Sequence, residues 1–301
     1  MKKLRLIQFI VGLLILVLLL FKIGGGLKAL EKVEITTFLL SILMYDLLNV
    51  ILSYRVYYLL KNMNYKPNFF CCLFANLGGM VAGDVTPGRS GYVLMAKLLE
   101  RCGVPVSDAI AAVVAPQGID FVVKGLGASL AILVLGFSNP WAGILVIAFG
   151  GIILMFMWYE KPSNLLKNFL PSRVLKILDR FGLSKVISDM LKSSVETRKY
   201  ALQILVLCLI GWVFVGFQWF FVGQSCKVVF PIYVYFLLQP LLSALMFVPI
   251  TPAGLGIMES GTVVVLYALG VPPEKATVFA ILIRISCILA DLPGVLAWLK
   301  K

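Results

Sequence analysis

Six stretches of the chain are almost continuously apolar: residues 6–21, 35–60, 109–137, 141–159, 201–222 and 277–298. Each is near or above the roughly 17–20 residues that a helix needs to cross a hydrocarbon core. Backbone groups in lipid must be satisfied within the segment, and no run shows the alternation of a membrane barrel strand. The pattern therefore predicts transmembrane helices. Residues 68–99 and 231–269 are also apolar, but each is interrupted at its middle. The first interruption reads Gly83-Asp84-Val85-Thr86-Pro87-Gly88-Arg89-Ser90-Gly91, after Gly78-Gly79. The second reads Pro249-Ile250-Thr251-Pro252-Ala253-Gly254-Leu255-Gly256. Proline and glycine at this density stop a helix. Each stretch is predicted to be a re-entrant segment or a short hairpin of two helices.

Composition agrees with that pattern: 61% of the 301 residues are hydrophobic and 14% charged, against about 45–50% and about 25% in soluble domains. Residues 6–21 follow Lys2, Lys3 and Arg5 and precede Gly24-Gly25-Gly26, with no small-x-small cleavage pattern. A retained first helix is expected rather than a signal peptide. Histidine is absent, which excludes a histidine base, a histidine triad and histidine-ligated metal. The six cysteines show no CxxC spacing, and four of them fall inside apolar runs, where cysteine packs as a small hydrophobe.

The formal charge of +13 does not imply a nucleic-acid partner. Residues 160–199 carry nine Lys/Arg against four Asp/Glu, and both termini are basic. Positive charge collects on the cytoplasmic side, so both termini and the loop 160–199 are expected inside. Val174, Ile177, Leu178 and Phe181, then Val186, Ile187, Met190 and Leu191, recur at helical spacing with basic residues between them. This predicts an amphipathic segment attracted to anionic lipid. The expected architecture is a single all-α integral membrane domain over residues 1–301. It has about six full crossings and two broken hairpins, the first entered from inside and the second from outside.

An internal repeat emerges. Thr86-Pro87 is followed by Gly103-Val104-Pro105, and Thr251-Pro252 by Gly270-Val271-Pro272. In both cases a polar helix start and a long apolar helix come next. The half-repeats, 35–137 and 201–301, would have inverted topology. Paired broken segments in two halves point to a midplane transport site.

Ionisable groups at membrane depth are the natural site candidates, because a charge at the bilayer centre costs roughly 2.5–3.5 kcal/mol even on lenient scales. Asp84 and Arg89 flank the first break and Glu259 follows the second. Thr86, Gly88, Thr251, Gly254 and Gly256 lie in the breaks, where a bare backbone can approach a headgroup. Asp120 and Lys124 are four apart and able to pair, and Arg284 and Asp291 share a face of the last helix. Asp46, Asn49 and Ser53 line one face of the second helix. Arg55, near that helix's cytoplasmic end, is expected to snorkel to the headgroups. Arg89 with nearby helix N-termini suits a phosphate.

The pieces Thr86-Pro87-Gly88-Arg89-Ser90-Gly91 and Thr251-Pro252-Ala253-Gly254-Leu255-Gly256-Ile257-Met258-Glu259 resemble the flippase-like membrane domain of lysylphosphatidylglycerol synthases. Gly270-Val271-Pro272-Pro273-Glu274 and Arg284 extend the likeness. The resemblance implies a lipid-translocating fold with two re-entrant segments. Tyr92 stands where the family's first motif usually has an acid, and Pro116-Gln117-Gly118-Ile119-Asp120 keeps only the last residue of its E-R-x-x-D motif. The soluble aminoacyl-transferase domain has no counterpart here, so synthase activity is not expected. The expected function is translocation of a lipid or lipid-linked headgroup in the cell membrane, without cofactor or metal. Its partners would be anionic or phosphate-bearing lipids, and oligomerisation is possible. A lipid-modifying transferase with Glu259 or Asp120 as base, a transporter of soluble solutes, and an accessory scaffold are the alternatives.

Overall fold

The computed structural model describes residues 33–84, 86, 91–136, 141–158, 183–243, 245, 251 and 254–299. The expected first helix at 6–21 lies outside them, as do 160–182 of the basic loop. Among the described residues every regular element is helical. In order these are α1 Ile35–Asn62, α2 Phe69–Asp84, α3 Gly91–Glu100, α4 Val106–Val134, α5 Trp141–Met157 and α6 Leu183–Thr197. There follow α7 Ala201–Ser225, α8 Ile232–Ser243, α9 Ile257–Ala268, α10 Pro273–Asp291 and α11 Val295–Leu299.

Among the described residues, four stretches are long and apolar enough to cross a membrane: Ile35–Asn62, Val106–Val134, Lys185–Ser225 and Pro273–Leu299. The segment expected to cross at 141–159 is the 17-residue α5, about 25 Å long at 1.5 Å per residue. α5 lies along α4 because glycines remove the side chains between them. A Cβ on Gly150 would come within 2.7 Å of the Gly118 carbonyl oxygen, and one on Gly143 within 2.9 Å of that of Gly125. Lipid tails give no hydrophobic drive between helices, so such close backbone approach is what holds them.

Beside two small clusters, two large cores dominate the packing among the described residues. One joins Val56, Leu59 and Leu60 of α1 to Cys72, Met95, Leu99, Val113 and Ile119, with Ile204 and Cys208 of α7. The other gathers Trp219 and Val222 of α7 with Tyr235, Leu238, Leu266, Phe279 and Ile283. In this second core the Trp219 and Phe279 rings meet edge-on at 5.6 Å. α7 thus serves both cores, the first through its N-terminal half and the second through its C-terminal half.

The two interrupted stretches form the pairs α2/α3 and α8/α9, and their bases lie at opposite ends of the bundle. At one end the Tyr65 hydroxyl and the Ser193 hydroxyl both donate to Asp108, tying the α1–α2 turn, the start of α4 and α6 together. That bond to Asp108, with burial behind it, pushes the Tyr65 phenol up to about 12, so it remains a donor at physiological pH. Arg101 Nη1 donates to the Ala297 carbonyl at 2.9 Å, which brings the C-terminal segment to the same end. Lys61, Lys66, Arg101, Arg198 and Lys199 collect there. At the other end Glu34 N–H donates to the Ser225 carbonyl at 2.9 Å and Lys275 Nζ to the Lys227 carbonyl at 3.3 Å. The base of α8/α9 belongs to this end.

α6 keeps the amphipathic pattern read from its sequence, and protein covers part of its surface. Leu191, Ser194 and Thr197 are buried, and Thr197 accepts a hydrogen bond from Trp158 Nε1 at 2.9 Å. Of the four cysteines expected to pack as small hydrophobes, Cys71 departs: it forms a disulfide with Cys102, 31 residues on, across the base of α2/α3.

Candidate functional site

Near the seam between the two cores lies a cavity of about 80 Å³. Met80 and Tyr92, close to the tip of α2/α3, contribute to its wall, as do Ser243 and Met258 at the tip of α8/α9. Described residues flanking both interruptions therefore face one space. The polar lining comes from Gln117, Asp120 and Lys124 of α4, Gln218 of α7 and Gln239 of α8. The volume exceeds the roughly 10–15 Å³ that one water needs, and polar groups able to hold water line it.

Two prolines sit beside this lining, and each removes a rung from its helix ladder. Pro116 precedes Gln117 in α4 and Pro240 follows Gln239 in α8. The carbonyl that Pro240 leaves without an amide is that of Phe236. Trp212 Nε1 donates to it at 2.9 Å, so an indole from α7 replaces the missing backbone donor.

Asp120 and Lys124 pair as their spacing suggests, at 3.0 Å. Arg55 does not snorkel. It is 2% exposed, and its Nη1 donates to Cys208 Sγ at 3.1 Å. The same thiol is within hydrogen-bonding reach of Asp120. Arg55 points inward because α1 packs that face against α7, where the acidic partner across the thiol replaces the headgroups.

Glu259 and Arg284 form a second buried group, just behind the cavity wall made by their chain neighbours Met258 and Ile283. Arg284 Nε donates to Glu259 Oε1 at 2.6 Å. The other carboxylate oxygen accepts the Gly256 N–H at 2.7 Å, so Glu259 reaches back to the amide of the residue that caps its own helix. Gly254 and Gly256 have φ of +67° and +81°, a backbone that favours glycine. Their role here is to turn the chain into α9, and the Gly256 amide is engaged by Glu259. A third group links Asn49 Nδ2 to Asp291 Oδ1 at 2.8 Å, with Asn76 Nδ2 3.4 Å from Asn49 Oδ1. Arg284 and Asp291, expected on one face, thus serve different neighbours.

The remaining expected residues fall as follows. Asp84 ends α2, and Thr86 donates to the Ala82 carbonyl at 2.7 Å, closing that helix. Thr251 is fully buried and its hydroxyl has no partner among the described residues. Gly88 and Arg89 lie outside the described residues. Sequence reasoning did not nominate Gln218, Gln239 or Cys208. The available signal was a polar residue inside an apolar run, which a search confined to ionisable groups passes over. Among the described residues no cluster of three or more metal-ligating side chains occurs.

Comparison with curated proteins and with solved structures returns no match. The family described as the lysylphosphatidylglycerol synthase TM region matches residues 5–290, almost the whole chain. Four apolar helices of spanning length and this match make it a membrane protein, and the chain belongs to the lysylphosphatidylglycerol synthase TM region family.

Proposed function

We propose that the protein moves a membrane lipid, or a lipid-linked headgroup, between leaflets. One observation carries the reading: residues flanking the breaks of two hairpins with bases at opposite ends line one polar cavity. A headgroup could enter such a cavity from either side while its tails stay in lipid. The hairpin helices have 16, 10, 12 and 12 residues. At 1.5 Å per residue none exceeds about 24 Å, short of the roughly 30 Å hydrocarbon core, which supports re-entrant segments of opposite entry. The basic end of the bundle supports cytoplasmic termini in a plasma membrane.

Within this proposal Arg89, three residues before the cavity-lining Tyr92 in the chain, contributes to holding an anionic headgroup. Parting of Glu259 from Arg284 would free both charges as the second hairpin moves. Thr251, whose hydroxyl has no partner among the described residues, is an available donor at the second break.

The test is reconstitution of the pure protein into vesicles with a tail-labelled phospholipid in the outer leaflet. The expected result is faster exchange between leaflets than in protein-free vesicles, with the lipid mass unchanged. A lipid of altered mass would point instead to a transferase, and no exchange with any phospholipid would reject the proposal.

A further inference from the structure

The disulfide between Cys71 and Cys102 lies at the end of the bundle that the orientation proposed above puts in a reducing compartment. Disulfides in such compartments are as a rule transient, catalytic or redox-sensing. Beside this one is a cleft of about 400 Å³, within the roughly 300–1,000 Å³ span of small-molecule sites. Its wall includes Cys71, Phe74 and Leu98 of the first hairpin, Arg101, and Leu296 and Ala297 of the C-terminal segment.

The surroundings suit exchange at one sulfur in particular. Cys71 and Cys102 are both partly exposed, but Cys71 lines the cleft and Cys102 does not. A small thiol entering the cleft therefore meets Cys71. Arg101 precedes Cys102 in the chain, and its bond to the Ala297 carbonyl holds it at the cleft. A guanidinium in that place favours thiolates, both the incoming one and the one released. The free cysteines Cys72, Cys208, Cys226 and Cys287 are all buried, and Cys72, next to Cys71, has no exposed surface.

The bond also has something to control. Cys71 stands in the first turn of α2 and Cys102 just after α3, so the bond closes a ring around the whole interrupted hairpin. The cleft wall shares the C-terminal segment that clamps this hairpin through Trp298 and Gly78. A group attached at Cys71 would press on that clamp.

We propose that Cys71 is a site of reversible thiol–disulfide exchange with a small anionic thiol, which ties or frees the base of the first hairpin. A thiolate attacks Cys71 Sγ, and a mixed disulfide forms as the Cys71–Cys102 bond breaks. The electron pair leaves on Cys102 Sγ, which takes up a proton. A second thiolate attacks the small molecule's sulfur in the adduct, releasing the Cys71 thiolate and a small-molecule disulfide. The reverse sequence, with that disulfide as oxidant, closes the ring again. The proposal rests on the cytoplasmic placement of the basic end and adds a covalent site outside the cavity.

Glutathione is the probe, and mass spectrometry of the full chain in detergent is the readout. With glutathione disulfide, Cys102→Ser should take up one glutathione, mapped to Cys71, while Cys71→Ser stays largely unmodified over the same interval. Reduced glutathione should open the ring of the unaltered chain through an adduct on Cys71. Arg101→Gln should lower the rate with glutathione relative to cationic cysteamine about threefold, the scale of one exposed ion pair. Equal modification of the two cysteines, or an unchanged rate ratio in Arg101→Gln, overturns the proposal. In cells, alkylation before lysis should find a dithiol at rest and a disulfide after the permeant oxidant diamide. A pair already oxidised at rest overturns the proposal, and if an impermeant phosphine then reduces it from outside, the cytoplasmic placement falls as well. A resting dithiol whose purified chain forms no adduct overturns the exchange site and leaves that placement standing.

Discussion

The two interrupted hairpins begin from similar sequence and end as different mechanical objects. In α2/α3 the helices meet backbone to backbone. A Cβ on Gly91 would lie 2.1 Å from the Gly79 carbonyl oxygen and 2.4 Å from the Gly83 nitrogen. The C-terminal segment clamps this pair from outside, with Trp298 Nε1 donating to the Gly78 carbonyl at 3.0 Å and Gly294 set against Leu77 and Gly78. In α8/α9 the helices have few contacts with each other. α8 lies against α4 and α7, while α9 lies against α10, fixed by Glu259 and Arg284. The same proline-glycine device thus builds one self-contained unit and one whose arms belong to different neighbours. Under the proposed transport, the second is the hairpin whose arms can part without breaking their own packing.

The largest effect should come from glycine substitution, which probes that contrast directly. Gly91→Ala drives a methyl group into fixed backbone. It should cost about 3 kcal/mol or more, the upper end for overpacking, and be seen as loss of monodisperse protein in detergent. Gly261→Ala in α9 would meet only the terminal carbon of Leu245, at 2.4 Å, which can swing aside. Its cost should stay within about 1 kcal/mol of zero, since alanine also favours the helix. Equal damage from both changes would erase the distinction between the hairpins.

Next in size is Glu259→Gln, which leaves Arg284 buried without its carboxylate and should destabilise by about 3–5 kcal/mol. Combining it with Arg284→Met should recover most of the thermal stability. Failure of that double variant to recover would show that the pair does more than balance charge. Trp212→Phe, which orphans the Phe236 carbonyl beside Pro240, should lower stability by about 1–3 kcal/mol, measured by thermal unfolding.

The smallest effect is expected at the base of the first hairpin. Under the proposed orientation, which puts the basic end in the cytoplasm, Cys71 and Cys102 would face a compartment that keeps thiols reduced. The glycine contact, not the disulfide, must then hold α2 against α3. Cys71→Ala with Cys102→Ala should change the melting temperature little in reducing buffer. A large loss would argue that this end faces an oxidising compartment.

How much of this was legible in the sequence follows from which interactions are local. The apolar runs and the two Pro/Gly breaks announced the helices and hairpins, and the four-residue spacing announced the Asp120–Lys124 pair. α5 came out shorter than the apolar run suggested, since length alone does not say where a helix ends. Arg55 was misplaced because its partners, Cys208 and Asp120, lie on other helices far along the chain. The Glu259–Arg284 and Asn49–Asp291 contacts escaped for the same reason. Gly256 looked like a bare backbone open to a ligand, and only the fold shows Glu259 already bonded to its amide. The glutamines were hidden by being neutral, although Gln218 and Gln239 each carry a buried acceptor with no partner among the described residues.

The central claim is that lipid headgroups travel through the cavity between the two hairpin tips. Gly211 lines that cavity, and Gly211→Trp would fill it, while Val264→Trp adds the same bulk at an exposed position of α9. Leaflet exchange of labelled phosphatidylglycerol in vesicles should fall to the protein-free rate with Gly211→Trp and stay unchanged with Val264→Trp, both proteins being folded. Undiminished exchange through the filled protein would contradict the account.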